Sequence, residues 1–135
     1  MANYTANFRS NYFAVKNVAQ FQAFCTAFQL EMITGLENNQ TLYGFLNGGN
    51  ESGLPATRYN DVIDDWEEVD FMNELATHLL DGHVAIVMEV GYEKLRYLIG
   101  VAQAVNAAGE MMEVDLEEIY MRAAALGLHR TSCTY

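Results

Sequence analysis

The sequence contains few of the residues that crosslink or break a chain. Its 135 residues include one proline and two cysteines. Cys25 lies on the apolar side of a predicted helix and Cys133 lies in the C-terminal tail, so two unpaired thiols in a reducing cytoplasm are expected. The first residues lack the charged-then-apolar pattern of a secretion signal, which also favours a cytoplasmic protein. Apolar runs are too short for a membrane span, so no membrane partner is expected.

Basic residues are scarce. Seven Lys and Arg stand against 18 Asp and Glu, which gives a formal net charge of −11. Direct binding to nucleic acid requires clustered Lys and Arg, so this function class is excluded. Attraction to anionic membrane surfaces is excluded for the same reason. A charged partner of this chain would be a basic one, such as a basic protein.

Signatures of catalysis, phosphate binding and metal binding are missing as well. The three histidines are scattered and form no zinc-ligand spacing with the cysteines: His78, His83 and His129. Gly48-Gly49 lacks the Lys-Ser/Thr that completes a phosphate loop. Glu89 and Glu93, opposite Lys94 and Arg96, predict a cross-strand charge pair. We therefore predict no catalytic residue, cofactor or metal, with an unrecognised enzyme as the alternative because geometry defines catalytic sites.

The most regular pattern lies in residues 83–106. Two runs of alternating apolar residues flank Gly91-Tyr92-Glu93-Lys94, which predicts an antiparallel hairpin at the centre of a sheet. The bulkier alternate set begins with Val84, Ile86 and Met88 and is predicted to face the core. The opposite set is weakly apolar too, so little of the hairpin should be exposed.

The remaining patterns predict strands and helices around this hairpin. The predicted elements are a strand over 9–16, a helix over 18–29 with Asn17 as N-cap, strands over 30–36 and 41–46, a helix over 71–80 with Asp70 as N-cap, an edge strand over 111–114, and a helix from Asp115 to Gly127. Their order predicts one α+β domain over residues 1–135. We expect a sheet of five to six strands, mostly antiparallel or with a mixed pairing as the alternative, and three helices packed mainly on one face.

An acidic segment precedes the second helix and contains the single tryptophan. The candidate binding residues are Asp61, Asp64, Asp65, Trp66, Glu67, Glu68 and Asp70. One interpretation is a solvated approach to a helix, since acids are favoured near a helix N-terminus. The other is a recognition patch, because an amphipathic ring framed by carboxylates suits a basic partner. Residues 61–69 fit a strand, a loop or a helix start equally well.

Three further motifs carry a resemblance to known proteins. They are Arg9-Ser10-Asn11-Tyr12-Phe13, Leu80-Asp81-Gly82, and Glu89-Val90-Gly91 followed by Glu93-Lys94-Leu95-Arg96-Tyr97. Together they resemble a family of small uncharacterised bacterial proteins carried on plasmids, prophages and integron gene cassettes. The resemblance implies a cytoplasmic accessory protein of the mobile gene pool, and it transfers no activity or catalytic residue.

These observations lead to three hypotheses. The first is a non-catalytic binding protein that engages a basic protein through the acidic surface around Trp66, with DNA mimicry as a special case. The second is a small-molecule binder or enzyme with a pocket between the sheet and the 47–60 loop, near Tyr43, Phe45 and Tyr59. The third is a homodimer formed through a sheet edge or the C-terminal helix, with residues 129–135 docked.

Overall fold

The computed structural model describes residues 4–49, 51–93, 97–127 and 131. Its elements in chain order are β1 (Tyr4–Ser10), α1 (Val18–Ala27), β2 (Leu30–Glu37), β3 (Gln40–Asn47), β4 (Thr57–Asn60), β5 (Asp65–Glu68), α2 (Phe71–Ala76), β6 (Val84–Glu93), β7 (Tyr97–Asn106), β8 (Met111–Asp115) and α3 (Glu118–Ala123). Six strands form one sheet in the order β2-β3-β1-β6-β7-β8, and β4 pairs with β5. The predicted α+β class with a mostly antiparallel sheet is confirmed. Among the described helices, none is both long and apolar enough to cross a membrane.

Every paired strand in the described sheets is antiparallel. The described sheets are therefore antiparallel rather than mixed. One parallel contact occurs outside the strands, as an isolated bridge between Ala6 and Ser52. The hairpin of β2 and β3 closes through Asn38 and Asn39, whose φ angles are 51° and 64°. Positive φ at both central residues suits the twist of a two-residue hairpin turn, and asparagine tolerates it.

The core lies between the large sheet and the helices α1 and α2. All seven phenylalanines are buried in it. Most of their rings meet edge to face or tilted, for example Phe24 with Phe28 at 5.1 Å and Phe28 with Phe71 at 5.2 Å between ring centroids, and Phe21 stacks on Phe24. Burying a phenylalanine side chain contributes about 1.5–3 kcal/mol, so these rings dominate the stability of the fold.

The helix starts were predicted correctly for α1 and α2. The side chain of Asn17 accepts a hydrogen bond from the Gln20 amide at 3.0 Å. Asp70 accepts one from the Asn73 amide at 3.2 Å. Each bond satisfies one of the backbone donors that a helix leaves open at its N-terminus. α2 ends at Ala76 rather than at residue 80.

The last helix differs from its prediction. Asp115 is the final residue of β8, opposite Val101, and therefore does not cap the helix. α3 follows Glu117, which makes no side-chain capping bond, and no residue of α3 is buried. Of the tail beyond Gly127, the structure describes only Thr131, so the predicted docking of residues 129–135 lies outside the described residues.

The first strand was predicted too late in the chain. β1 covers Tyr4–Ser10, where Ala6, Phe8 and Ser10 are buried and alternate with polar residues. After Ser10 the pairing with β6 continues through the backbone of Asn11, whose amide donates to the Ile86 carbonyl at 3.0 Å, and through its side chain. The side-chain nitrogen donates to the Val84 carbonyl at 3.0 Å, and the side-chain oxygen accepts from the Ile86 amide at 2.8 Å.

The central hairpin exists as β6 and β7, but its predicted turn lies elsewhere. Gly91 to Glu93 belong to β6, and the connection is residues 94–96, which lie outside the described residues together with the predicted charges of Lys94 and Arg96. Gly91 is required by a close approach, because a Cβ atom there would meet the Thr5 carbonyl oxygen and the Tyr4 hydroxyl at 2.7 Å.

The buried face of β6 is the opposite of the predicted one. Ala85 and Val87 belong to the phenylalanine-rich core, whereas Met88 and Val90 are 58% and 64% exposed. The aromatic rings of the other elements already fill the core between the sheet and the helices, so only small side chains fit on that face of β6. The bulky set of β6 therefore faces away from the helices.

Candidate functional site

The acidic segment forms part of a two-stranded ribbon. β4 pairs with β5 so that Tyr59 lies opposite Trp66 and Arg58 lies opposite Glu67. The turn between the strands includes Asp64, which has a φ of 53°. Residues 57–68 are called the acidic ribbon below. The sequence left open whether residues 61–69 form a strand, a loop or a helix start. In the structure residues 65–68 are a strand.

The two large aromatic side chains of the acidic ribbon lie next to each other. The rings of Tyr59 and Trp66 meet edge to face, with centroids 5.8 Å apart. They are 46% and 62% exposed. The Tyr59 hydroxyl donates to the Asp64 carboxylate, and this bond raises the pKa of Tyr59. The ring pair is thus held by the ribbon yet open to solvent, a geometry that favours recognition.

Arg58 attaches the acidic ribbon to the helices. Its guanidinium contacts the Glu67 carboxylate at 2.9 Å and the Glu74 carboxylate of α2 at 2.8 Å. It also lies over the Phe28 ring at the end of α1, 5.7 Å from the centroid. Hydrogen bonds from Asn60 and from Arg58 lower the pKa of Glu67. The single basic residue of the ribbon is therefore used internally, and Glu67 serves the fold.

The other predicted site residues divide into two groups. Asp61, Asp64, Asp65, Trp66 and Glu68 lie on the acidic ribbon and are exposed. Asp70 is exposed too, but it caps α2 and belongs to the helix start described above. With Glu67, the structure thus brings six of the seven predicted residues onto the acidic ribbon, and five of these six are exposed. Residues 59–70 contain no Lys or Arg. The electrostatic potential around these solvent-exposed carboxylates is therefore negative.

Two features of the acidic ribbon were missed from the sequence. Val62 and Ile63, at the tip of the turn, are 89% and 58% exposed. Tyr59 becomes the neighbour of Trp66, although six residues separate them in the chain. Alternation in Arg58-Tyr59-Asn60 and Asp65-Trp66-Glu67 around a four-residue turn was the signal for this pairing.

A cleft of about 400 Å³ separates the acidic ribbon from the end of α1. Three aromatic residues line it together with the segment 52–57: Phe28, Tyr59 and Trp66. The pocket was predicted between the sheet and the 47–60 loop, whereas this cleft lies between that loop and the end of α1. Phe45 is completely buried and Tyr43 packs against the core, so neither lines the cleft.

One carboxylate anchors the loop that forms the cleft wall. Glu89 accepts hydrogen bonds from the Leu54 amide and from the Tyr4 hydroxyl, each at 2.7 Å. Burial, followed by the bond to Glu89, raises the pKa of Tyr4 to about 12. Glu89 therefore has a structural role in the described fold, and Glu93 pairs opposite Tyr4 on the neighbouring strand.

Other reactive side chains in the described residues serve packing. His78 lies against the Phe24 ring at 4.9 Å, and burial lowers its pKa. Burial raises the pKa of the Cys25 thiol to about 11, which makes it a poor nucleophile. No group of three His, Cys, Asp or Glu in the described residues could hold a metal ion. His129 and Cys133 lie outside the described residues.

Comparison with known proteins gives no relative from which a role could be transferred. No family model, curated protein or solved structure matches the chain. The geometry and charge of the acidic ribbon are therefore the basis for a functional assignment.

Proposed function

We propose that this chain is a non-catalytic accessory binding protein that engages a basic protein partner through the acidic ribbon. The observation that carries the proposal is the exposed pair of Tyr59 and Trp66 beside the exposed carboxylates of Asp61, Asp65 and Glu68, which take part in none of the ion pairs among the described residues. Trp and Tyr are the side chains that most often dominate binding energy at protein interfaces. Lys and Arg are the side chains that such a surface would select.

The chemistry of recognition follows from the exposed groups. A Lys or Arg side chain over the face of Trp66 gains about 0.5–2 kcal/mol from cation–π attraction. The carboxylates of Asp61, Asp65 and Glu68 speed encounter with a basic surface and orient it. Val62 and Ile63 add an apolar contact at the tip. Affinity, salt dependence and selectivity for basic partners would therefore come from one small element.

Two further expectations belong to this proposal. The resemblance to proteins of plasmids, prophages and integron cassettes supports an accessory role in the bacterial cytoplasm. In the special case of DNA mimicry, the ribbon carboxylates take the place of phosphates and occupy the binding surface of a nucleic-acid enzyme. A partner of this kind would be displaced by low concentrations of double-stranded DNA even at moderate salt, whereas a basic partner without a nucleic-acid site would need far more DNA.

The test is capture of partners from a bacterial lysate on the immobilised chain. We expect a basic protein to be retained at low salt and released at high salt, because exposed charge pairs are screened. Trp66→Ala should weaken capture, as should the combined variant Asp61→Asn, Asp65→Asn and Glu68→Gln. The matched control neutralises three exposed acids elsewhere: Glu31→Gln, Glu37→Gln and Glu117→Gln. Equal losses in both triple variants, or capture insensitive to salt, would contradict the proposal.

A second candidate function rests on the cleft beside the acidic ribbon. Its volume of about 400 Å³ falls within the range of small-molecule sites, and three aromatic residues line it. A screen of small molecules by thermal shift, followed by the emission of Trp66, the single tryptophan, would detect a ligand. Ala27→Phe at the cleft wall should abolish that shift, while the triple-charge variant of the ribbon should retain it. Loss in the charge variant alone would assign the ligand to the ribbon surface.

A further inference from the structure

The sheet has an apolar face that no element of the described chain covers. In β6, β7 and β8 the side chains that point away from α1 and α2 include no charged residue. The most exposed of them are Met88, Val90, Leu98 and Met112, which are 58%, 64%, 65% and 77% exposed. These outward positions are called the outer face below. On the neighbouring strand β1 this side of the sheet carries Arg9, opposite Met88, so the uncharged part ends at β6. Three adjacent strands without a charge on one side are still unexpected on a chain of net charge −11.

The outer face is too large for a monomer and large enough for a dimer. Eight large side chains on it are between 36% and 77% exposed, an area on the order of the 800 Å² that one partner contributes to a standard protein interface. The largest apolar patch on a typical monomer is only about 300–600 Å². Because the face carries no charge, two copies can meet there without bringing their acidic residues together.

The relief of the outer face is self-complementary. Each bulky residue of β6 lies beside a small residue of β7: Ile86 beside Ala104, Met88 beside Ala102, and Val90 beside Gly100. On the other side of β7, Met112 lies beside Ala104 and Val114 beside Ala102. β7 is therefore a trough between the ridges of β6 and β8. Leu116 closes one end of the trough, because a Cβ atom on Gly100 would meet its side chain at 2.8 Å.

We propose that a second copy of this chain covers the outer face in a symmetric dimer. A two-fold axis that runs parallel to the strands, between β6 and β7, places the β6 ridge of each copy over the β7 trough of the other. Two sheets packed in this way form a sandwich about 10 Å thick with a dry interior. The predicted homodimer is thereby assigned to the sheet face, and neither the sheet edge nor α3 supplies its main contact.

The primary test measures the mass of the full chain in solution by analytical ultracentrifugation. Wild type should sediment at twice the chain mass of 15.2 kDa, with a dissociation constant below about 1 µM. Met88→Asp should raise that constant about 10-fold or more, because a charge buried in the interface costs several kcal/mol, of which the cross-strand neighbour Arg9 offsets only part. Leu36→Asp is the matched control: Leu36 is 78% exposed on the edge strand β2, and its variant should remain dimeric.

A second variant separates specific packing from general stickiness. Ala102→Leu keeps the outer face apolar but fills the trough. It should weaken the dimer about 10-fold or more if the ridges and troughs interlock, since overpacking costs about 1–3 kcal/mol. A patch that associates without specific packing would associate more strongly in this variant, and that result would overturn the proposal.

Fold and occupant are checked separately. Circular dichroism must be unchanged in both variants, and the wild-type unfolding temperature should rise with protein concentration, as linkage requires for a dimer. A wild-type chain that sediments as a monomer would overturn the proposal. If that monomer binds vesicles of neutral lipid, a membrane surface covers the outer face instead. If the monomer binds a different protein through the outer face, that protein is the occupant and the proposal is wrong. A Met88→Asp chain that is folded and still dimeric would also overturn it.

Discussion

Arg58 offers a direct test of how the acidic ribbon is held on the body of the protein. The substitution Arg58→Met removes the guanidinium but keeps an unbranched apolar stem of similar reach. It breaks the contacts to Glu67 and Glu74 and the contact to the Phe28 ring. We expect the ribbon to detach more often while the sheet and the core stay intact, because the core does not depend on β4 and β5.

The magnitude follows from the exposure of the partners. The side chains of Arg58, Glu67 and Glu74 are 31% to 32% exposed, so each ion pair contributes about 0.2–1 kcal/mol after solvent screening. The cation over the Phe28 ring adds about 0.5–1 kcal/mol. Arg58→Met should therefore reduce the free energy that holds the ribbon by about 1–3 kcal/mol, which corresponds to a factor of about 5–150 in the opening equilibrium.

Amide hydrogen exchange measures this opening residue by residue. Protection of the amides in residues 57–60 and 65–68 should fall by that factor in Arg58→Met, while amides of β6 and β7 keep their protection. Arg122→Met is the matched control: Arg122 is 76% exposed in its side chain and reaches Glu118 only at 3.8 Å, so it should change nothing measurable. Equal exchange of the ribbon amides in wild type and Arg58→Met would refute the reasoning.

Three further predictions concern the body of the protein. Gly44→Ala should destabilise it by about 1–3 kcal/mol in urea unfolding, because the new Cβ atom would lie 2.5 Å from the Asn11 carbonyl oxygen; Gly49→Ala, with open space around it, should be neutral. Phe45→Ala should cost about 3–5 kcal/mol by the same measurement, since Phe45 is completely buried, and a loss below 1 kcal/mol would argue against this core. Burial lowers the pKa of His78 from its ordinary value of 6.5. As the pH drops below 6.5 the unfolded state therefore binds a proton before the folded state does, and the free energy of unfolding falls. Above pH 6.5 the protonation of His78 has no effect on stability. His78→Phe should remove that part of the pH dependence, whereas identical pH profiles of the two chains would show that His78 does not contribute to it.

Features fixed by neighbouring residues were predictable from the sequence. The cap at Asn17, the cap at Asp70 and the turn at Asn38-Asn39 each depend on a few adjacent side chains and on local backbone geometry. The predicted acidic segment was also found on one exposed element, because charged residues remain in solvent wherever the strand is placed. What the sequence did not reveal was that Tyr59 stands beside Trp66, since their contact depends on a pairing register.

Features that depend on the whole assembly of elements were predicted less well. Hydrophobicity alone placed Val84, Ile86 and Met88 in the core, because bulky aliphatic side chains usually line it. The observed core takes its volume from phenylalanines on other elements, and this leaves room only for Ala85 and Val87. A single strand carries no information about the space left by its neighbours, so the two faces of β6 were interchangeable at the level of sequence.

The joint at Asn11 makes the fold sensitive to chemical ageing. Spontaneous deamidation would replace the side-chain amide with a carboxylate and leave an oxygen facing the Val84 carbonyl where a donor stood before. The acceptor for the Ile86 amide and the backbone bond to the Ile86 carbonyl would survive, but one of the three hydrogen bonds between Asn11 and β6 would become a repulsion. Stored protein should therefore lose order first where β1 meets β6, and peptide mapping of aged samples can locate that lesion.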